Sequence, residues 1–162
     1  MQESQKKIDI DVGYLTIKYK KIEDDIKTPV KIMNVYSDKI FKTNGIWDTG
    51  ATKSVITKSA VEHLELIPIG DTLVKGVHGE KRVYKYPIKI ELLGDEDKFA
   101  KFAMTIIVTE CDELSSDGSA NMLIGMDVIS KGDFAVTNFR DTTAMSFRIP
   151  SLQTIDFIEG IK

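Results

Sequence analysis

Ile46-Trp47-Asp48-Thr49-Gly50-Ala51 is the stretch on which the reading of this sequence turns. An apolar strand from Ile40 to Trp47 ends on an acidic residue, and a carboxylate there is costly to ionise unless donors or a partner accompany it. The next two residues offer such donors. Gly50 can bend the chain so that backbone N–H groups point back at Asp48, and the Thr49 hydroxyl can bond to neighbouring backbone and lock the loop. An ordinary Asp-Thr-Gly turn would look the same, and average residue usage produces this tripeptide by chance in roughly 3% of chains this long. Its surroundings must decide.

Ile8 to Tyr19 (IDIDVGYLTIKY) alternates apolar with polar residues, the period of a half-buried strand. Lys20 to Thr28 is a charged turn. Val30 to Tyr36 and Ile40 to Trp47 form a hairpin through Ser37-Asp38-Lys39 and deliver the Asp48 run. On the other side, Thr57 caps a short helix over Lys58 to Glu65, which Pro68 and Gly70 stop. Thr72 to Gly76 and Lys81 to Leu92 are strands flanking Val77-His78-Gly79-Glu80, a second hairpin whose two glycines permit a tight, mobile tip.

Gly94 to Asp97 turns the chain, Phe99 to Thr109 is a strand, and Cys111 to Asn121 is a polar loop expected to be exposed. Met122-Leu123-Ile124-Gly125 then leads into a short helix over Met126 to Ser130, stopped by Gly132. Phe134 to Phe139 and Met145 to Ile149 close the chain across an Arg140-Asp141-Thr142-Thr143 turn. Many short strands with one or two short helices predict an all-β barrel or sandwich. There is no tandem repeat, but a faint echo exists between Ile46 to Ala51 and Leu123 to Met126, as two similar halves would produce.

With 162 residues, 42% hydrophobic and 29% charged, the chain has the size and composition of one globular domain. Twenty-two basic against 25 acidic residues give a net charge of −3, which offers no electrostatic reason to expect nucleic acid as a partner. Cys111 is the single cysteine, so an intrachain disulfide and a cysteine-rich zinc site are both out of reach. No segment approaches the about 20 apolar residues of a membrane span. The expectation is a soluble protein, cytoplasmic if the sequence is complete and periplasmic or secreted if a leader was removed.

Three parts of the sequence together resemble the retropepsin-like aspartic proteases. Trp47-Asp48-Thr49-Gly50-Ala51-Thr52-Lys53-Ser54-Val55-Ile56 is similar to their active-site loop, an apolar strand followed by Asp-Thr/Ser-Gly-Ala and a returning apolar strand. Val74-Lys75-Gly76-Val77-His78-Gly79 falls where the family carries its glycine-bearing flap. Leu123-Ile124-Gly125 matches the apolar-apolar-Gly element that packs beside the catalytic loop. The resemblance implies a closed acid-protease barrel with half an active site per chain. It divides the sequence into an N-terminal strand region over 1–27, a retropepsin-like protease domain over 28–150 and a C-terminal tail over 151–162.

Peptide hydrolysis by water needs one group to take a proton from water and another to give one to the carbonyl oxygen. Two carboxyls about 3 Å apart do both, because like charges so close cannot both ionise and one proton is shared; aspartic proteases are the standard example. Such a pair titrates as a unit. This chain has one Asp-Thr-Gly and no second Asp-Thr/Ser-Gly, while Asp117-Gly118-Ser119 runs in the wrong order and Asp127 near a helix start suits capping or compensation of the helix dipole better. The second aspartate must then come from a twofold-related chain. The resemblance therefore implies a homodimeric aspartic endopeptidase with no cofactor and no metal. Asp48, Thr49 and Gly50 are its catalytic triplet, and Thr49 bonds across the dimer axis. Ala51, Gly76, Val77, His78 and Gly79 bind an extended peptide. Leu123, Ile124 and Gly125 support the site.

Two departures from the family pattern stand out. Trp47 replaces a smaller aliphatic residue and either fills the dimer seam, alters the approach to the carboxylates or packs in the core. Met126 follows Gly125 where retroviral members often have Arg. His78 touches substrate, confers pH sensitivity or is simply solvated, and the tail over 151–162 is either a dimer strand or a frayed end. With two histidines, His63 and His78, no His-Glu-x-x-His spacing exists, and no phosphate-cradling glycine motif is present. Cys111 lies among Glu110, Asp112 and Glu113, which disfavour a thiolate nucleophile. The alternative function on the same fold is a catalytically silent peptide-binding or dimerisation module. An unrelated β-sandwich adaptor would make the triplet a coincidence.

Overall fold

A computed structural model describes residues 12–76, 79–94, 99–100 and 102–158. In chain order the elements are β1 (Gly13–Lys18), β2 (Lys27–Asn34), β3 (Ile40–Trp47), β4 (Val55–Thr57), α1 (Lys58–Leu64), β5 (Gly70–Gly76) and β6 (Gly79–Leu92). These are followed by β7 (Phe99–Ala100), β8 (Phe102–Cys111), β9 (Ala120–Ile124), α2 (Met126–Ile129), β10 (Asp133–Phe139) and β11 (Thr142–Ile149). Six strands close on themselves: β2, β3, β9, β4, β8 and β6 pair in that order, and β6 returns to β2. Closure removes the free edges that an open sheet would expose. The chain is thus an all-β closed barrel, with β5 hanging from β6 outside the ring.

Alternation explains the ring. In β2 the side chains of Thr28, Val30, Ile32 and Asn34 are buried, while Pro29 is exposed and Lys31 half-buried. In β6 the inward set is Tyr86, Ile88, Ile90 and Leu92, but Val83 breaks that parity. The change falls where the strand passes between two partners. Residues 79–85 pair with β5, and residues 85–92 pair with β8 inside the barrel.

A second sheet, ordered β10-β11-β1-β7, packs on the barrel. Trp47 joins the two layers: it is buried, its ring stacks on Phe134 at 5.2 Å and meets Phe147 at 5.0 Å, and its Nε1–H donates to Thr28 Oγ1 at 2.9 Å. Of the three roles open to Trp47, the structure shows core packing. Fully burying side chains such as Leu15, Ile32, Ile88, Met145 and Phe147 contributes about 1.5–3 kcal/mol each.

Local differences from the sequence expectation have physical causes. Thr57 does cap α1, accepting from Ala60 N–H at 3.3 Å, but the helix ends when Glu65 takes a left-handed conformation (φ 48°), before Pro68 or Gly70. The last turn needs two residues, Arg140 and Asp141, both at positive φ, so Thr142 and Thr143 already belong to β11. The expected polar loop over Cys111 to Asn121 is shortened at both ends, because Cys111 finishes β8 and β9 starts at Ala120 with Ala120, Met122 and Ile124 buried in alternation. β1 lies in the second sheet, paired along its length with β11. Residues 151–158 form no strand, and Leu152, Ile155, Phe157 and Ile158 are exposed. Ile8 to Asp11, at the start of the expected first strand, lie outside the described residues.

Candidate active site

β3 and β4 are consecutive in sequence yet not neighbours, because β9 lies between them, parallel to β3 and antiparallel to β4. The loop joining β3 to β4 must therefore cross the end of β9. Ile46 pairs with Leu123 and Trp47 with Ile124, so the two segments of the internal echo leave the barrel at one edge, side by side. There Asp48 and Gly125 follow their strands in step.

Backbone bonds stitch the crossing together. Asp48 N–H donates to Ile124 O at 3.0 Å, Ala51 N–H to Asp48 O at 3.3 Å, and Met126 N–H to Ala51 O at 2.8 Å. Gly50 N–H donates to Asp48 Oδ1 at 2.8 Å, the arrangement expected of a carboxylate that accepts from its own loop. Gly125 permits the close approach. A Cβ there would lie 2.8 Å from the carbonyl carbon and oxygen of Lys53 and 2.9 Å from Ala51 O. Asp48 and Ala51 are half-buried, whereas Thr49 and Gly50 are exposed on the single chain.

A side-chain clamp fixes the far end of the loop. Asp127 Oδ1 accepts from Ser54 N–H at 3.0 Å and from Ser54 Oγ–H at 2.7 Å, and Ser54 Oγ in turn accepts from Gly125 N–H at 3.1 Å. Asp127 thus ties α2 to the loop instead of capping its own helix, whose N-cap is Gly125. Neither Ser54 nor this role of Asp127 was visible to sequence reasoning. The one available signal was a buried-type position, Ser54, between the triplet and an apolar strand. On the adjoining side Asn121 donates to Thr43 Oγ1 at 3.1 Å and accepts from Thr57 at 2.8 Å, bracing β9 against β3 and α1.

Facing the loop is the β5–β6 hairpin, whose register runs from Gly70 opposite Lys85 to Gly76 opposite Gly79. Gly79 has φ 109°, a conformation that favours glycine. Val77 and His78, at the turn, lie outside the described residues. Between hairpin and loop runs a groove of about 510 Å³, walled by Gly50, Ala51 and Lys53 on one side and Leu73, Val74 and Lys75 of β5 on the other. The groove thus brings Gly50 and Ala51 against the shaft of the hairpin. Leu123, Ile124 and Gly125 sit beneath the loop, with Ile124 and Gly125 buried and Leu123 half-buried.

Other chemistry is thinly represented. Among the described residues no group of three or more His, Cys, Asp or Glu side chains could hold a metal ion, and no helix is long and apolar enough to cross a membrane. Burial, followed by the charge of the neighbouring Asp112, pushes the Cys111 thiol up to about 11. A nucleophile needs the opposite shift. His63 is exposed, with its ring 4.8 Å from that of Phe41.

The family model described as Aspartyl protease matches residues 31–128. Among solved structures, the chain is similar to the simian foamy virus (mac) protease, at 20% identity over 63% of this chain and 91% of that one, with a TM-score of 0.40. It is similar to the EIAV protease in complex with the inhibitor HBY-793, at 22% identity over 67% and 88%, with a TM-score of 0.43. A retropepsin-like aspartic protease from Rickettsia conorii is 16% identical over 86% of this chain and 96% of that one, with a TM-score of 0.45. No curated protein matches the sequence.

Proposed function

We propose that this chain, which belongs to the aspartyl protease family, hydrolyses peptide bonds as a homodimer in which Asp48 of each subunit supplies one of two facing carboxyls. The observation that carries the proposal is the held carboxylate: Asp48 Oδ1 accepts from Gly50 N–H, in a loop stitched to Ile124 and Gly125. The sequence holds one Asp-Thr-Gly, so one chain supplies half a site. Thr49 and Gly50, exposed on the single chain, are the surface a second copy would cover.

In the dimer the two carboxyls share one proton. The ionised carboxyl takes a proton from water as the water oxygen attacks the scissile carbonyl carbon, and the protonated one gives its proton to the carbonyl oxygen. No bond to the enzyme forms. As the tetrahedral diol collapses, the protonated carboxyl gives its proton to the departing amine nitrogen while one diol hydroxyl returns its proton to the ionised carboxyl, and the shared-proton state is restored. Thr49 bonds across the axis and, with Gly50, positions the pair, while Ala51, Gly76 and Gly79, with Val77 and His78 of the turn outside the described residues, are the residues assigned to the extended peptide.

The test is cleavage of an unbiased peptide library at mildly acidic pH by the native protein and by Asp48→Asn. Cleavage by the native protein alone is the expected result, and equal cleavage by both overturns the mechanism. Specific capture of peptides with no cleavage by either would assign the groove to binding without turnover.

A further inference from the structure

The groove that faces the Asp48 loop carries charge of one sign. Both ionisable side chains in its wall are lysines, Lys53 on the loop and Lys75 on β5, and no acidic side chain among the described residues lines it. The two lysines differ. Lys75 Nζ lies 3.2 Å from Glu80 Oε1 across the hairpin, so its charge is answered within the chain. Lys53 is exposed and makes no ion pair with any described residue.

The backbone of Lys53 is fixed where Gly125 abuts its carbonyl group, and the next residue, Ser54, is clamped by Asp127. Its side chain lines the groove from an anchored root, on a stem of four methylenes. Beside it Val55, Leu73 and Val74 offer apolar wall. A ligand that complements this surface has an apolar side chain and, next to it, a carboxylate.

We propose that the groove selects peptides with an acidic residue placed beside an apolar one, the carboxylate being read by Lys53. The inference rests on the peptide-cleaving reading of the site, and twofold symmetry would repeat Lys53 on the other side of the scissile bond. A half-exposed ion pair is worth about threefold in relative affinity. Two such positions give about tenfold, falling as salt screens them.

The test uses matched peptides with Glu, Gln or Lys at each position flanking the cleaved bond, at about pH 6, where glutamate is ionised. The readout is the ratio of kcat/KM for Glu against Lys peptides, taken at low and at high salt. Expected are a ratio of about threefold for one position and about tenfold for both together in the native protein, its approach to one in Lys53→Gln, its inversion in Lys53→Glu, and its shrinkage at high salt. A ratio within twofold of one in the native protein, or one that both Lys53 variants leave unchanged, overturns the inference while leaving proteolysis standing. The same peptides are titrated onto Asp48→Asn, which keeps the groove without turnover. If the native protein cleaves nothing, a Glu preference in that binding upholds the role of Lys53 while the protease reading fails, and equal binding of Glu and Lys peptides overturns the inference as well.

Discussion

Replacing Gly125 with alanine would set a methyl group 2.8 Å from the carbonyl carbon and oxygen of Lys53 and 2.9 Å from the carbonyl oxygen of Ala51. All three are backbone atoms, so relief requires the loop and the β9–α2 corner to separate by roughly half an ångström. Overpacking of this kind costs about 1–3 kcal/mol. The same movement strains two hydrogen bonds, Met126 N–H to Ala51 O at 2.8 Å and Gly125 N–H to Ser54 Oγ at 3.1 Å, each worth about 1 kcal/mol net. Alanine recovers about 0.4–1 kcal/mol by restricting the unfolded chain. The balance is a loss of about 2–3 kcal/mol.

Urea unfolding followed by the fluorescence of Trp47, the single tryptophan, measures that loss. The midpoint should fall by about 1 M with the slope unchanged, and peptide turnover should drop further than the folded fraction does. Gly45→Ala is the control. Its Cβ would lie 2.7 Å from Ile124 Cδ1 and 3.1 Å from Cγ1, side-chain atoms that can move, so it should cost no more than about 1 kcal/mol and spare turnover. Equal costs for the two variants, or a Gly125→Ala protein with native midpoint and turnover, would refute the claim that this contact holds the loop.

Ser54→Ala leaves the buried Gly125 N–H without its acceptor and strips Asp127 of one donor, so unfolding free energy should fall by about 2 kcal/mol; a change under about 0.5 kcal/mol would mean that the clamp is idle. Hydrogen bonds from Lys58, then from Lys81, hold the Asp112 carboxyl down at about 2. Because the folded value is the lower one, its stabilisation is complete above about pH 4 and disappears as pH falls towards 2, and Asp112→Asn should flatten that limb of the stability curve. For Cys111 the folded value, about 11, lies above the ordinary 9.0, so stability should decline as pH rises from 9 towards 11. At pH 8 alkylation of the native thiol should run at least about tenfold slower than in the urea-unfolded chain, and equal rates would show the thiol to be accessible and unperturbed.

The barrel was legible because its strands obey a period of two and its corners carry turn residues: Ser37-Asp38-Lys39, Asp48 to Gly50, and Gly76 with Gly79. The helix start at Thr57 was legible for the same reason, as a local hydrogen bond between residues three apart. What escaped depends on partners remote in sequence. Asp127 and Ser54 are 73 residues apart, so capping or dipole compensation was the best local reading of Asp127. Trp47 stood open among three roles until Phe134 and Phe147 were placed against its ring. The opening of β9 was hidden because Asn121 reads as loop, yet its amide is engaged by Thr43 and Thr57 within the sheet. At Glu65 a left-handed residue other than glycine ended α1, which no composition rule signals.

Subunit mixing addresses the shared site most directly. Native protein is equilibrated with increasing Asp48→Asn, at a total concentration that keeps the chains paired, and cleavage is expressed per native chain. If each site needs a carboxyl from both chains, a ninefold excess of the variant leaves about one native chain in ten with a native partner, and specific activity should fall to about a tenth. Activity per native chain that stays constant through the titration would contradict the account.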